Sequence, residues 1–565
     1  MHDAPPAPRV GVPESRSAQG GILLFVIWTK CNSYATTRTT RRVNAAALAG
    51  VVIAGASACS VPGGGADRGG SKDSAVVGIA YEPETLSPLL GYGKDGNSKI
   101  FDGLLTHDVD MKLKPALALD LPEVTDGGTT YTYKLRKGVK FSDGKPFSAD
   151  DVVFTYETIL DKKTNNASKT ELDAVKSVEA KGDDTVVFRL KYPYAPFAER
   201  TVLPIAPEHI AAGQDVNNGA FTTAPVGTGP YELVTWSKGE KLIFKANPDY
   251  WGTAPEIKNF TMAIIKDDDI RATRLDAGEL DGAILPPNLA GKYTSDSGMN
   301  TYAAKSFDYR VVTLPTDNEV AGDTAVRRAL DIGVNRKAMV DSILYGKGKE
   351  AYGPVPTDSP WFTTGTERAF DPAGAEKILD KAGWKPGKDG IRTKGGVQAT
   401  FPLWYLSGDK LRQDHALAYA SDAKKIGIKV RVQSGTWEVI KPRMPKDAVL
   451  AGGGSPADPD FDQYALLKSS LAGDGFNNMA HYDNPTVDKA LEDARRSGDR
   501  TERGAAYDTV QRELVSNPGY TFLTHIDHLY VVDKKFGDLS TQIEPHDHGL
   551  ASGPWWNVED WQVEQ

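Results

Sequence analysis

The sequence predicts a large mixed α/β protein, and three observations carry that prediction. Short stretches of strand character interleave with amphipathic helical stretches from residue 75 onward in a chain of 565 residues. Hydrophobic residues make up 40% and aromatic residues 9%, enough for a sizeable core, and the length calls for two or more domains. Past residue 74 there is no internal repeat with a period of about 20–50 residues and no long low-complexity segment.

The elements follow in order. Residues 75–80 (AVVGIA) read as a buried strand, and 130–135 (TYTYKL) and 185–190 (TVVFRL) as strands alternating at period two. Residues 148–160 (SADDVVFTYETIL) open on an N-cap serine and first-turn acids, then continue with helical spacing of apolar positions. In 371–382 (DPAGAEKILDKA), Asp371 is the N-cap, Pro372 the first helical residue and Gly383 the stop. A helix over 411–425 ends at Gly427 before a strand at 428–432, and two more helices cover 488–496 and 503–514. In FSDGKPFSADD, Asp143-Gly144 makes the turn between strand and helix. The glycines and proline of VGTGPY (226–231) force a tight bend, and Asn247, Pro248, Tyr250 and Trp251 form an aromatic-covered strand end.

The first 74 residues are different. Arg38, Arg41 and Arg42 precede sixteen mostly apolar residues, 43–58 (VNAAALAGVVIAGASA), which end at Cys59. A basic flank, a short apolar run and small residues before a cleavage point describe a secretory signal. The run is shorter than the ~20 residues that cross a bilayer. Ala56, Ser57 and Ala58 before the cysteine resemble a bacterial lipobox, although leucine is usual where Ala56 stands. That resemblance implies a diacylated Cys59 as membrane anchor, with 60–74 (SVPGGGADRGGSKDS) as a flexible tether. The alternative is an ordinary signal with a chance cysteine. Residues 1–35 fit no part of this pattern, and a native start nearer residue 33 would account for them.

Composition also excludes function classes. A net charge of −9 rules out a chain-wide cationic surface for nucleic acid. Two cysteines, Cys31 and Cys59, supply neither a disulfide framework nor a thiolate zinc site. No G-x-S-x-G and no H-E-x-x-H is present, so the motifs of the common hydrolases are missing.

Five blocks in order carry a family resemblance: 131–156 (YTYKLRKGVKFSDGKPFSADDVVFTY), 226–252 with VGTGPYEL and FKANPDYWG, 276–283 (DAGELDGA), 326–348 (VRRALDIGVNRKAMVDSILYGKG), and 371–384 followed by 424–432 (KKIGIKVRV). Together they resemble solute-binding protein family 5 of ABC importers, the peptide and nickel group, over residues 75–560. The resemblance implies a two-lobed periplasmic-binding-protein-like fold of type II, similar to cluster C. Lobe I is expected over 75–311, with an extra subdomain at about 101–214. Lobe II is expected over 312–518, and 519–565 return to lobe I. Hinges are expected at 311–316 (VVTLPT) and 518–524 (PGYTFLT). The lobes would close on a ligand by a hinge motion of the kind known for periplasmic binding proteins. The implied function is capture outside the membrane of a peptide or peptide-like solute for an ABC permease and ATPase complex. A monomer is expected, with no cofactor and no catalysis. A nickel or metal-chelate binder of the same family is the alternative. A hydrolase or a ligand sensor on the same fold is the alternative from another class.

Ligand-site expectations follow from the resemblance. Peptide-binding relatives place an amine-binding aspartate three residues before an acidic-Pro pair. In 452–462 (GGGSPADPDFD) the pair is Asp458-Pro459, and Ser455 stands at the aspartate's place. A neutral hydroxyl makes a weaker bond to an ammonium than a carboxylate does. Asp458 is either a ligand group or the cap of a helix beginning at Asp460. Arg200 lies near the region where nickel-binding relatives carry a carboxylate-binding arginine. Trp404 and Tyr405 (FPLWYLSG), Trp437 and Trp361 are candidates for stacking on a ligand or for plain core. Four of the nine histidines cluster near the end: His525, His528, His546 and His548. Imidazoles and the intervening Asp547 suit Ni(II) or Zn(II), or they are surface residues.

Overall fold

The structure is a computed structural model and describes residues 73–166, 169–473, 475–546, 550 and 552–563. Cys59, its leader and tether, and His548 lie outside the described residues. No helix among the described residues is long and apolar enough to cross a membrane.

Two α/β lobes are built on two separate sheets. The first has seven strands in the order Met299–Ala304, His528–Asp533, Gly282–Leu285, Ser74–Ile79, Asn259–Ile264, Lys241–Ala246, Tyr231–Ser237. Ser74–Ile79 pairs parallel with both of its neighbours, so its residues Ala75 and Val77 are fully buried, as the apolar run AVVGIA requires. The second has six strands in the order Gly348–Glu350, Tyr520–Ile526, Tyr309–Thr313, Ala448–Gly453, Thr400–Leu406, Lys429–Gly435. A four-stranded antiparallel sheet, Glu123–Thr125, Thr130–Lys134, Thr185–Leu190 and Val175–Ala180, packs with helix Ala149–Leu160 on the core of the first lobe.

Local chemistry sets the helix starts. Ser148 and Asp151 form a reciprocal capping box, with Ser148 N donating to Asp151 Oδ2 at 2.9 Å. Asp371 accepts from Gly374 N at 2.8 Å ahead of Pro372–Lys381. Asp409, Asn484 and Asp499 cap Lys410–Lys425, Pro485–Arg496 and Arg500–Ser516 in the same way.

The chain passes between the two sheets at residues 305–308 and again at Asp527. The stretches expected as hinges, 311–316 and 518–524, fall largely within the central strands Tyr309–Thr313 and Tyr520–Ile526 of the second sheet. An extended apolar run reads alike as strand or as linker, and both runs are buried in the sheet. A third segment joins the two passages: Phe307 N donates to Glu544 O and Glu544 N to Lys305 O, both at 2.9 Å. His546 N then donates to Gly454 O at 2.9 Å. Gly454 has φ +127°, and a Cβ there would lie 2.0 Å from Phe307 O, so only glycine lets the end of Ala448–Gly453 lie against the crossing chain.

Candidate functional site

The lobes meet through specific contacts. Tyr194 Oη, from the first lobe, donates to Asp460 Oδ2 at 2.7 Å. Asp460 also accepts from Arg495 Nε at 3.0 Å and Nη2 at 2.8 Å. Phe461 carries its ring onto the Arg200 guanidinium, 3.1 Å from centroid to carbon. Between these contacts and the chain crossings lies a cavity with an empty volume of about 520 Å³, including space open to solvent. Its first-lobe wall includes Asp95, His107, Arg200 and Trp556; Ser455, Pro456 and Ala457 close it from the second lobe.

Arg200 is a charged group tightly built into this wall. It is only 4% exposed. Its Nη1 donates to Glu171 and lies 3.5 Å from Asp95 Oδ1, while its Nε has no hydrogen-bond partner among the described residues. Burial works against its charge, but Glu171 and Asp95 more than offset this and raise its pKa. Beside it, His107 Nε2 and Glu199 Oε2 are 2.7 Å apart. Arg200 and Ser455 are therefore brought to one cavity, from opposite lobes.

Asp458 is not part of that cavity. Its Oδ1 accepts from Arg503 Nη2 at 2.6 Å and from Asp460 N at 2.9 Å, which makes it a buried ion pair at a helix start. The tryptophans are also turned elsewhere. Trp404 Nε1 donates to Asp447 Oδ2 at 2.9 Å, and Arg443 covers its ring at 5.1 Å. Tyr405 packs on the core beside helix Lys410–Lys425. Trp437 meets Phe476 edge to face at 4.9 Å, and Trp361 meets Tyr507 at 5.5 Å. Each satisfies an aromatic's need for apolar contact within one lobe.

The histidines serve the crossing points. His525 is 2% exposed in the second sheet, its Nδ1 3.3 Å from Phe307 O, and burial pushes its pKa down to about 4. His528, first in its strand of the other sheet, sits between Glu544 and Asp308, the latter 3.1 Å from Nε2. Burial opposes its charge, but the two carboxylates outweigh that and push its pKa up to about 9. His546 Nδ1 lies 2.7 Å from Asp308 Oδ1. Burial of Asp308 would raise its pKa, yet Arg310 and the histidines hold it well below the usual carboxylate range. Among the described residues no group of three or more His, Cys, Asp or Glu is arranged to hold a metal ion. Of the four candidate metal ligands, His525, His528 and His546 are spent on carboxylates and backbone, and His548 lies outside the described residues.

The sequence reading passed over Asp95, His107, Glu199, Gln542 and Trp556, all of which line the cavity. The adjacent tryptophans Trp555 and Trp556 were the available signal: one is buried in the core and the other faces the cavity.

Two α/β lobes joined by paired crossings and closed over a walled cavity define a solute-binding protein. The chain belongs to the family of bacterial extracellular solute-binding proteins, family 5, whose middle region matches residues 112–474. It is 62% identical to Protein XP55 of Streptomyces lividans over 90% of this chain and 95% of that one. It is 30% identical to the oligopeptide-binding protein AppA of Bacillus subtilis, over 79% and 85% of the two chains. Among solved structures it resembles NikZ from Campylobacter jejuni in complex with Ni(L-His), with a TM-score of 0.81 and 31% identity. That match covers 87% of this chain and 99% of the other. Members of the family are extracellular or periplasmic binding proteins that work with ABC permease and ATPase components, and they are not enzymes.

Proposed function

We propose that this protein captures a peptide or peptide-like solute between its lobes, outside the cell membrane, and delivers it to an ABC permease. The observation that carries this reading is the cavity walled from both lobes, with the buried Arg200 on its surface and an Nε left without a partner. A guanidinium held in place by Glu171 and Asp95 is suited to an anionic group such as a carboxylate. Ser455 and Ala457 face it with no charge of their own, so a free α-amine finds no carboxylate at that place.

A metal chelate is the second reading, favoured by Ser455 and by the likeness to NikZ with Ni(L-His). Since His525, His528 and His546 are already engaged, the metal would have to arrive with its own small-molecule ligands. Native mass spectrometry of protein purified from its host, with metal analysis of the same sample, separates the readings. Stoichiometric metal-free peptide is expected. Stoichiometric nickel with a low-mass chelator would replace the peptide reading by the second.

We further propose that acylated Cys59 tethers the folded body at the membrane surface. Cys59→Ala is expected to shift the protein from the membrane fraction to the culture medium, or to leave it unprocessed. Unchanged membrane attachment in fractionated cells would refute the anchor.

A further inference from the structure

Behind the inter-lobe cavity lies a second chamber, and its lining comes from the first lobe alone. It shares Asp95, Asn97, His107 and Trp556 with the cavity, so the two are continuous. Its empty volume is about 830 Å³, including space open to the cavity and to solvent. Nothing in the capture reading requires it: the groups that close between the lobes do not reach it.

The chamber's charges are unequally matched. Lys99 is taken up by Glu559, at 2.8 and 2.9 Å, and by the carbonyl of Trp556. Asp95 lies against Arg200 at 3.5 Å. Asp102 is different: no lysine, arginine or histidine nitrogen among the described residues lies within 4 Å of its carboxylate. Its Oδ2 accepts only from neutral donors, Thr228 Oγ1 and Trp251 Nε1, both at 2.9 Å. The carboxylate is also fixed in place. Asp102 N donates to Thr228 Oγ1 at 3.3 Å, and Ile205 N donates to Asp102 O at 2.9 Å. Gly229 N donates to Ile100 O at 2.9 Å, and a Cβ at Gly227 or Gly229 would collide with the Ile100 carbonyl, so the segment leading into Asp102 is held closely.

The walls around Asp102 are aromatic. Tyr250 and Trp251 stand 5.4 Å apart by ring centroids on one side, where the Arg136 guanidinium already covers Trp251 at 4.8 Å, and Trp556 lines the passage to the cavity. Aromatic faces around an unmatched carboxylate favour a cation over a neutral or anionic group. A rigid acceptor needs no reorganisation when the cation arrives.

We propose that this chamber is a subsite for a positively charged side chain of the captured solute, a lysine- or arginine-type group that enters past Trp556 and is directed at Asp102. The inference rests on the peptide reading and deepens it: the preferred solute is a peptide carrying a basic side chain, its anionic group at Arg200 and its cation in the chamber.

Calorimetric titration of ligand-stripped protein with N-acetyl-Ala-Lys-Ala and with its uncharged counterpart, N-acetyl-Ala-norleucine-Ala, tests this. A charge-assisted contact at Asp102 predicts a preference for the lysine peptide of about tenfold to a hundredfold. Asp102→Asn, which keeps shape and a hydrogen-bond acceptor, should bring the two affinities to within about threefold. Binding of both peptides with equal affinity to the unmodified protein overturns the chamber inference and leaves the capture reading standing. Undiminished preference in the asparagine variant overturns the role of Asp102. Failure of the unmodified protein to bind either peptide overturns the peptide reading itself, and the inference with it. The comparison within the unmodified protein stands whether or not the variant folds.

Discussion

Asp331→Asn is expected to lower the stability of the folded protein by about 3–5 kcal/mol, the usual cost of removing one partner from a buried ion pair. Asp331 is 1% exposed and sits in helix Thr324–Gly333. It neutralises two guanidinium groups that are themselves buried. Arg336 donates to its Oδ1, and Arg368 Nε donates to its Oδ2 at 2.7 Å. Those arginines are also structural ties. Arg336 Nε donates to Ala351 O at 2.9 Å and Phe522 O at 2.8 Å, and Arg368 reaches the carbonyls of Thr366 and Tyr352. One carboxylate thus holds together a helix, a strand of the six-stranded sheet and the long connection before helix Pro372–Lys381. An amide in its place keeps the volume but leaves two cations out of water without a counter-charge, and it turns an N–H toward one of them. Urea unfolding followed by circular dichroism should show the midpoint falling sharply. Asp341→Asn is the control: its partner Lys337 is on the surface, at 71% side-chain exposure, and no resolvable change is expected. Similar midpoints for the two variants would refute the reading of Asp331 as a buried hub.

This hub shows what the sequence could and could not reveal. The block VRRALDIGVNRKAMVDSILYGKG identifies the family, and its Asp331 and Arg336 stand five residues apart across a helix break, yet nothing in that spacing announces that Arg368 completes the set. Elements whose cause is local were legible. Ser148 with Asp151, Asp371 with Pro372, and the alternation of TVVFRL specify their structures within a few residues, and the observed bounds agree closely. The cavity was legible only in part, because its walls come from distant segments. Arg200 and Ser455 were found through the resemblance, whereas Asp95 and His107 carry no local signature. The aromatic candidates failed for a physical reason. Trp404 and Trp437 have their indoles satisfied by packing within the second lobe, and a core tryptophan and a ligand-facing one look the same in sequence. Tyr250 and Trp251 show the reverse: read as cover for a strand end, they also line the first-lobe chamber. The histidine cluster was visible in the sequence but not its use: the turn at Asp527 sends His525 and His528 into different sheets.

The same turn produces the second large effect, a loss of stability between pH 6.5 and 9 set by His528, while other buried histidines pull in the opposite direction. His528 has its pKa raised to about 9 by Asp308 and Glu544 against the cost of burial. A raised pKa means that the folded state holds the proton more tightly than the unfolded chain, whose histidines titrate near ~6.5. Its contribution is therefore complete below pH ~6.5 and is lost as pH climbs through about 9. At 1.36 kcal/mol per pKa unit, that loss is about 3 kcal/mol. His525 and His415 behave oppositely: burial lowers each to about 4, so the folded state prefers them neutral. Their contribution is present above pH ~6.5 and is lost as pH falls through about 4, by up to about 3 kcal/mol each. His415 is fully buried, with Nδ1 2.8 Å from Leu411 O and Nε2 2.9 Å from Thr524 Oγ1, and burial outweighs the pull of the Leu411 carbonyl and of Asp409 and Asp414 toward a second proton. Urea unfolding at pH 6.5 and 9 should show the alkaline loss directly, whereas on the acid side Asp462 and Asp102, raised by burial to about 7 and about 6, offset the loss from His525 and His415. His528→Gln isolates the alkaline limb. The stability gap between this variant and the unmodified protein should be widest at pH 6 and should narrow by about 3 kcal/mol toward pH 9. A gap that stays constant over that range would mean that His528 is not charged between Asp308 and Glu544, and the account of the crossing point would have to be abandoned.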